Sequence, residues 1–376
     1  MVETQQEFIV VDKEKRFGFI DQFRGIVILL FVIADITWNW SGNITGVPPV
    51  LPVGPTWLNH GWKFYDFDYK QMITLIDIGQ LLFVFVMGLM IPLSWKQHKA
   101  KGGTGYAVGQ LLVRLGWFYL IAGVMGDFDL TSMFLTNTFA VLAASMVFAT
   151  LAAALVKDPD KRLYLNIALL IALGILYAPP YILNGGPTNG IAIIPLNLLG
   201  ATIVAIQGGI FMEWFVRARD TNSMDDALRR IMKASVIAWV ACFIMDYFWW
   251  ADHHAMNVSI VLMSIGAGGF LLVIFHYLET KKFSVIGLNP FGRNTLLAFM
   301  LALPFQFIVW DLLDLVDTYK TAPWPISPLM GIVSVVIMLA LYYAVLVPFD
   351  RMQWYFTPSI FIRAIRYVKE KKARSK

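Results

Sequence analysis

Long apolar runs alternate with short polar and basic stretches along the whole chain. A helix needs roughly 20 apolar residues to cross a bilayer. Runs of about that length fall at 17–38, 73–95, 108–127, 134–156, 163–180, 190–216, 231–250, 255–278, 285–313 and 326–348. The pattern predicts an all-α polytopic membrane bundle of about ten transmembrane helices, a single integral-membrane domain over residues 1–376. A polar segment, 1–16, precedes the first run, and a basic tail, 349–376, follows the last. The first run has no small-residue cleavage site at a sensible distance and is expected to stay as a signal anchor. No internal repeat and no pair of interrupted helices is evident in the pattern.

Composition supports lipid as the main solvent. Hydrophobic residues make up 58% of the chain and charged residues 15%, against about 25% charged in soluble domains. Of 30 Lys and Arg, only Lys63, Lys70 and Lys320 fall in the loops assigned to the outside. Basic residues collect on the cytoplasmic side of membrane proteins, so both termini are expected in the cytoplasm, in a cell (inner or plasma) membrane. The net charge of +5 is a topology signal and excludes a nucleic-acid reading. Residues 359–376 read either as an amphipathic helix on anionic lipid or as a frayed basic tail. Cys242 is the single cysteine, so an intrachain disulfide and a Cys-based metal site are both excluded.

Ionisable residues within spans are costly and therefore point to function. Asp21 and Arg24 lie three apart on one helix face, either as a structural pair or with Arg24 facing a polyanion. Asp35 ends the first span, and Asp77 begins the second. Between them runs the Pro-rich segment 39–71, a candidate binding loop that carries His60. A carboxylate beside a histidine fixes its tautomer and stabilises its charged form, as a general base requires. Asp246, Asp252, His253 and His254 could line an acceptor site or a solvated loop. Asp311, Asp314 and Asp317 read as a solvated face. His98 and His276 belong to the cytoplasmic side, too far to share chemistry with His60. Gly287–Asn294 places Arg293 near a helix start, as a phosphate ligand or a plain cap. P-loop, zincin and paired Cys motifs are lacking, and no metal is expected.

Two blocks resemble a known family. Phe19-Ile-Asp-Gln-Phe-Arg-Gly-Ile-Val-Ile28 is similar to the S-x-D-x-x-R-G-x-A-I opening of transmembrane acyltransferases. Residues 73–94, ITLIDIGQLLFVFVMGLMIPLS, resemble the T-x-x-D-L-V-F-P-x-F-x-F-x-M-G-x-x-x-P-L-S span of the heparan-α-glucosaminide N-acetyltransferase family. Gly292-Arg-Asn294 is similar to that family's late G-x-N, and Asn257–Leu262 is a weaker copy of its N-K-x-x-W-S-x-S-F segment. By this resemblance His60 falls on the catalytic histidine and Asp77 on the helix aspartate. Asp35 stands where the family has asparagine, and Gly79-Gln80 replace its F-P.

The resemblance implies a membrane acyltransferase that moves an acyl group, expected to be acetyl, from cytoplasmic acetyl-CoA to an amine or hydroxyl of a sugar or glycolipid acceptor near the outer face. His60 would be the base or a transient acyl carrier, Asp77 its orienting carboxylate, and Asp35 an aid to acceptor binding. Arg24, Arg114, Arg293 and Asn294 would hold the carrier. A homodimer in the bilayer is compatible with this reading. The competing reading is a secondary transporter of a small polar solute or ion, which intramembrane carboxylates suit equally.

Overall fold

The computed structural model describes residues 17–37, 62–63, 71–72, 78–125, 138–184, 194–248, 256–285, 287–313 and 326–352. They form α1 (Gly18–Thr37), β1 (Trp62–Lys63), β2 (Gln71–Met72), α2 (Gly79–Met125), α3 (Thr138–Leu155), α4 (Pro159–Asn184), α5 (Ile194–Asp220), α6 (Met224–Phe248), α7 (Val258–Thr280), α8 (Leu288–Arg293), α9 (Thr295–Phe307) and α10 (Ile326–Arg351). The described residues are helical apart from the short antiparallel ribbon that pairs Trp62 with Met72 and a few turn and connecting residues. Among the described residues, four helices are long and apolar enough to cross a membrane: α2, α5, α7 and α10.

The second and third predicted spans are the two arms of α2, separate helices that meet at the non-helical Gly102–Gly103. Gly103 has φ 74° and ψ −174°, a conformation essentially reserved for glycine. The arms return on one another, so His98 meets the Tyr106 ring edge-on at 5.9 Å. The ninth predicted span is also interrupted. Asn294 leaves helical geometry between α8 and α9, and a π-helical turn over Ile308–Leu312 follows α9. Pro304 supplies no N–H to the ladder, and the register then widens so that the Leu313 N–H donates to the Ile308 carbonyl.

The α5 helix is the hub, packed against α2, α3, α4, α6 and α7. Close approach rests on small residues, as it does where lipid gives no hydrophobic drive between helices. A Cβ on Gly88 of α2 would strike the Ala205 carbonyl of α5, and one on Gly208 would strike the Phe85 carbonyl. On the other flank α8 lies directly on α1. A Cβ on Gly292 would collide with the Asp21 carbonyl oxygen, and one on Gly25 with the Leu288 carbonyl. Gly292→Ala should therefore destabilise by about 1–3 kcal/mol, the usual cost of overpacking. Gly105→Ala, where a Cβ meets open space, should be neutral or stabilising. Thermal unfolding of the two variants in detergent checks this, and equal melting temperatures would contradict the α1–α8 contact.

The described members of the basic tracts meet at one end of the bundle. There Glu279, at the end of α7, accepts from the Phe19 N–H at 3.2 Å and so caps α1. Gln22 accepts from the Val285 N–H at 2.9 Å. Arg219 stacks 4.9 Å above the Phe17 ring. Asp160, at the start of α4, accepts from the Trp214 indole of α5 at 2.9 Å and pairs with Arg230 of α6 at 3.8 Å. The spacing of the tracts along the chain thus becomes a single charged end in space.

Candidate functional site

His60, Asp77, Asp252, His253, His254, Asp314 and Asp317 lie outside the described residues. Asp35 belongs to the last turns of α1, and Asp246 to the last turn of α6. The β1–β2 ribbon sits between His60 and Asp77 in the chain. It draws together the two flanks of the segment that separates them.

At the charged end the predicted carrier ligands divide into two groups. Arg293 donates to Asp21 at 3.4 Å and to both oxygens of Asp350 at 3.2 and 3.3 Å. These bonds tie α8 to α1 and α10, and they balance the Arg293 charge within the protein. Arg24 lies 3.9 Å from the same Asp21, which is the pairing that its i, i+3 spacing predicted. Asn294 is fully buried, and neither atom of its side-chain amide has a hydrogen-bond partner among the described residues.

Arg114 differs from Arg293. It projects from the returning arm of α2, makes no ion pair among the described residues, and lies within electrostatic reach of Arg24. The Arg24 charge, itself paired with Asp21, is thus felt at Arg114 from a separate helix. Arg114 also lines a narrow open cleft between the arms of α2 and α3. Ser94, Trp95 and His98 form one wall, Leu111 and Arg114 the second, and Met146 and Thr150 of α3 the third. The Ser94 hydroxyl and His98 Nδ1 lie 3.2 Å apart. The Thr150 hydroxyl donates to its own helix, to the Met146 carbonyl at 2.7 Å, so it offers the cleft only acceptor lone pairs.

A further charged group went unnoticed in the sequence. Glu213 of α5 is buried and pairs with Arg162 of α4, itself only 2% exposed, while Lys96 of α2 donates to its other oxygen at 2.6 Å. One turn away, the Asn166 amide donates to Gln207 Oε1 at 2.9 Å and to the Ile203 carbonyl at 3.1 Å. Burial, with the Arg217 charge nearby, pulls the Arg162 guanidinium down to about 10, and Asp158 offsets part of this. The group therefore stays charged near neutrality. The signal was available, because Glu213 is an ionisable residue inside the apolar run 190–216. Compared with protein-family models and with curated proteins, the chain has no match.

Proposed function

We propose that the chain is a membrane acyltransferase with ten crossings and both termini in the cytoplasm. It takes an acyl group, acetyl by resemblance, from cytoplasmic acyl-CoA and passes it to an amine or hydroxyl of a sugar-type acceptor at the outer face. The observation that carries this reading is the meeting of Arg24 and Arg114 beside an open cleft at the charged end. Guanidiniums are the preferred ligands of phosphate oxygens, and an acyl-CoA brings several. Arg293, already bridged to two aspartates, braces α1, α8 and α10 around the site. The thioester then extends between the helices towards His60, which deprotonates the acceptor or carries the acyl group in transit. Asp77 orients the imidazole. The β1–β2 ribbon favours this, because it narrows the loop that joins the two residues.

The test is transfer of label from acetyl-CoA by the solubilised protein. Arg24→Ala and Arg114→Ala should each raise the KM for acyl-CoA by about tenfold, the loss of a charge-assisted contact worth roughly 1.5 kcal/mol. An unchanged KM in both variants would overturn the carrier site. The interruption at Asn294 favours transport as a second reading, since broken helices form solute sites in transporters. Binding of acyl-CoA separates the two, because a transporter of small solutes has no reason to bind it.

The topology has its own check. On a Cys242→Ala background, single cysteines at Lys99, Arg219 and Lys371 should be shielded from an impermeant thiol reagent in intact cells. Cysteines at His60 and Lys320 should react. Labelling at position 219 would sink the ten-crossing arrangement.

A further inference from the structure

We infer that the cleft between the arms of α2 and α3 is a proton-linked binding site for a dianionic phosphoryl group, in which the Ser94–His98 pair acts with Arg114. The inference deepens the acyl-carrier reading and rests on it only for the identity of the molecule that bears the phosphate.

The argument begins with hydrogen-bond donors. Arg114 brings a guanidinium with no carboxylate partner among the described residues, and Arg24 adds a second positive charge within reach. Asp21 offsets the Arg24 charge, and an anion beside Arg114 offsets the guanidinium that lines the cleft. His98 extends the set. Its Nδ1 is engaged by the Ser94 hydroxyl. While the ring is neutral and the hydroxyl donates to Nδ1, the ring proton resides on Nε2, which offers one donor. Protonation reverses that contact. Nδ1–H then donates to the Ser94 oxygen, and the Ser94 proton is released to serve a ligand. One proton thereby converts one donor into two and adds a unit of positive charge on the same wall as the ligand.

The surroundings of His98 leave this titration to the ligand. On its own arm of α2 the nearby groups are Ser94 and Lys101, and on the returning arm they are Arg114 and Tyr106. From α3 the cleft receives Met146 and Thr150 and no charged group. Lys96, one turn away, is bonded to Glu213. Burial first, and then the Arg114 and Lys101 charges, hold the His98 ring below the ordinary histidine range, so an incoming anion supplies the countercharge that favours its protonation. The remaining wall is apolar, with Trp95 and Leu111, and suits an anion carrying a hydrophobic arm. An acyl carrier and an anionic lipid share this chemistry.

Sulfate is the appropriate probe, because it remains a dianion throughout the range in which histidine titrates. Its binding to the full-length protein in zwitterionic nanodiscs is measured by calorimetry at about pH 8 and about pH 5.5, either side of the ordinary histidine range. Affinity should rise about tenfold at the acidic end, one charge-assisted hydrogen bond's worth. His98→Gln, which keeps a neutral donor, should bind as the parent does at pH 8 and show no rise. Its binding at pH 8 also reports that it is folded. Arg114→Ala should weaken binding at both pH values, and Arg114→Lys should recover part of it. Displacement of sulfate by free coenzyme A would identify a carrier phosphate as the occupant. Displacement by anionic lipid alone would identify a headgroup, and either result supports the site. A flat pH profile in the parent, or an equal rise in His98→Gln, would overturn the proposal. Failure of acyl transfer with this sulfate profile intact would refute the acyltransferase and leave the anion site standing. Acyl transfer together with a flat sulfate profile would do the reverse.

Discussion

His60→Ala should lower acyl-transfer turnover by about 10²-fold or more, the scale for losing a general base, while acyl-CoA still binds. His60 precedes Asp77 in the chain across the β1–β2 ribbon, and Asp35 belongs to the last turns of α1; the proposed function pairs the histidine with these carboxylates. A histidine–carboxylate contact at the edge of the bilayer gains strength from the low dielectric and holds the ring ready to accept a proton. Asp77→Asn should reduce turnover by removing the orienting anion. If the imidazole is acylated in transit, protein incubated with labelled acetyl-CoA and no acceptor should retain label, and His60→Ala should not. Parental turnover in His60→Ala would exclude both versions and turn attention to His253 and His254. Carrier binding is read separately, so a silent mutant that has lost acyl-CoA affinity would indicate misfolding rather than lost chemistry.

Glu213→Ala should cost about 3–5 kcal/mol of stability, the penalty for leaving one member of a buried ion pair without its partner. The stranded charge is Arg162, which is 2% exposed and has no water to turn to. Lys96→Ala should cost about 0–1 kcal/mol, because its side chain is 65% exposed and can be hydrated where it stands. Replacing Arg162 and Glu213 together by Leu should recover most of the loss, since the penalty lies in the unpaired charge. Thermal unfolding of the four proteins in one detergent provides the comparison. Equal melting temperatures for Glu213→Ala and Lys96→Ala would mean that Arg162 reaches water after all.

The helices were legible because length and hydropathy are one-dimensional properties. The apolar runs 134–156, 190–216 and 255–278 correspond closely to α3, α5 and α7. The gathering of the charged end was legible too, as basic tracts recur with every second helix terminus. What escaped was anything that depends on who packs against whom. Glu279 sits at the C-terminal end of its own helix, where a negative charge is unfavourable. Its use becomes clear only once the start of α1 is seen to lie against it. Arg293 read as a phosphate ligand or a plain cap, and its bond to Asp350 could not be read because that residue is distant in sequence and is brought to it by α10. The Ser94–His98 contact was within reach, being an i, i+4 pair on one helix, but its partner Arg114 required knowledge of the fold-back in α2. His60 and Asp77 were picked out by their position between the first two spans and again by resemblance, and the ribbon between them is an observation that no periodicity foretold.

The fold-back of α2 at Gly102–Gly103 bears on how the adjoining cleft binds. Two of the cleft's three walls are helical arms joined by only two non-helical residues, Gly102 and Gly103. So short a link limits how far the two arms can part. The ordering entropy that a flexible site surrenders on meeting a ligand has been met here during folding. Affinity in the cleft is accordingly a matter of charge and shape that are already in place, and a ligand should bind it with little change in the dynamics of the surrounding helices.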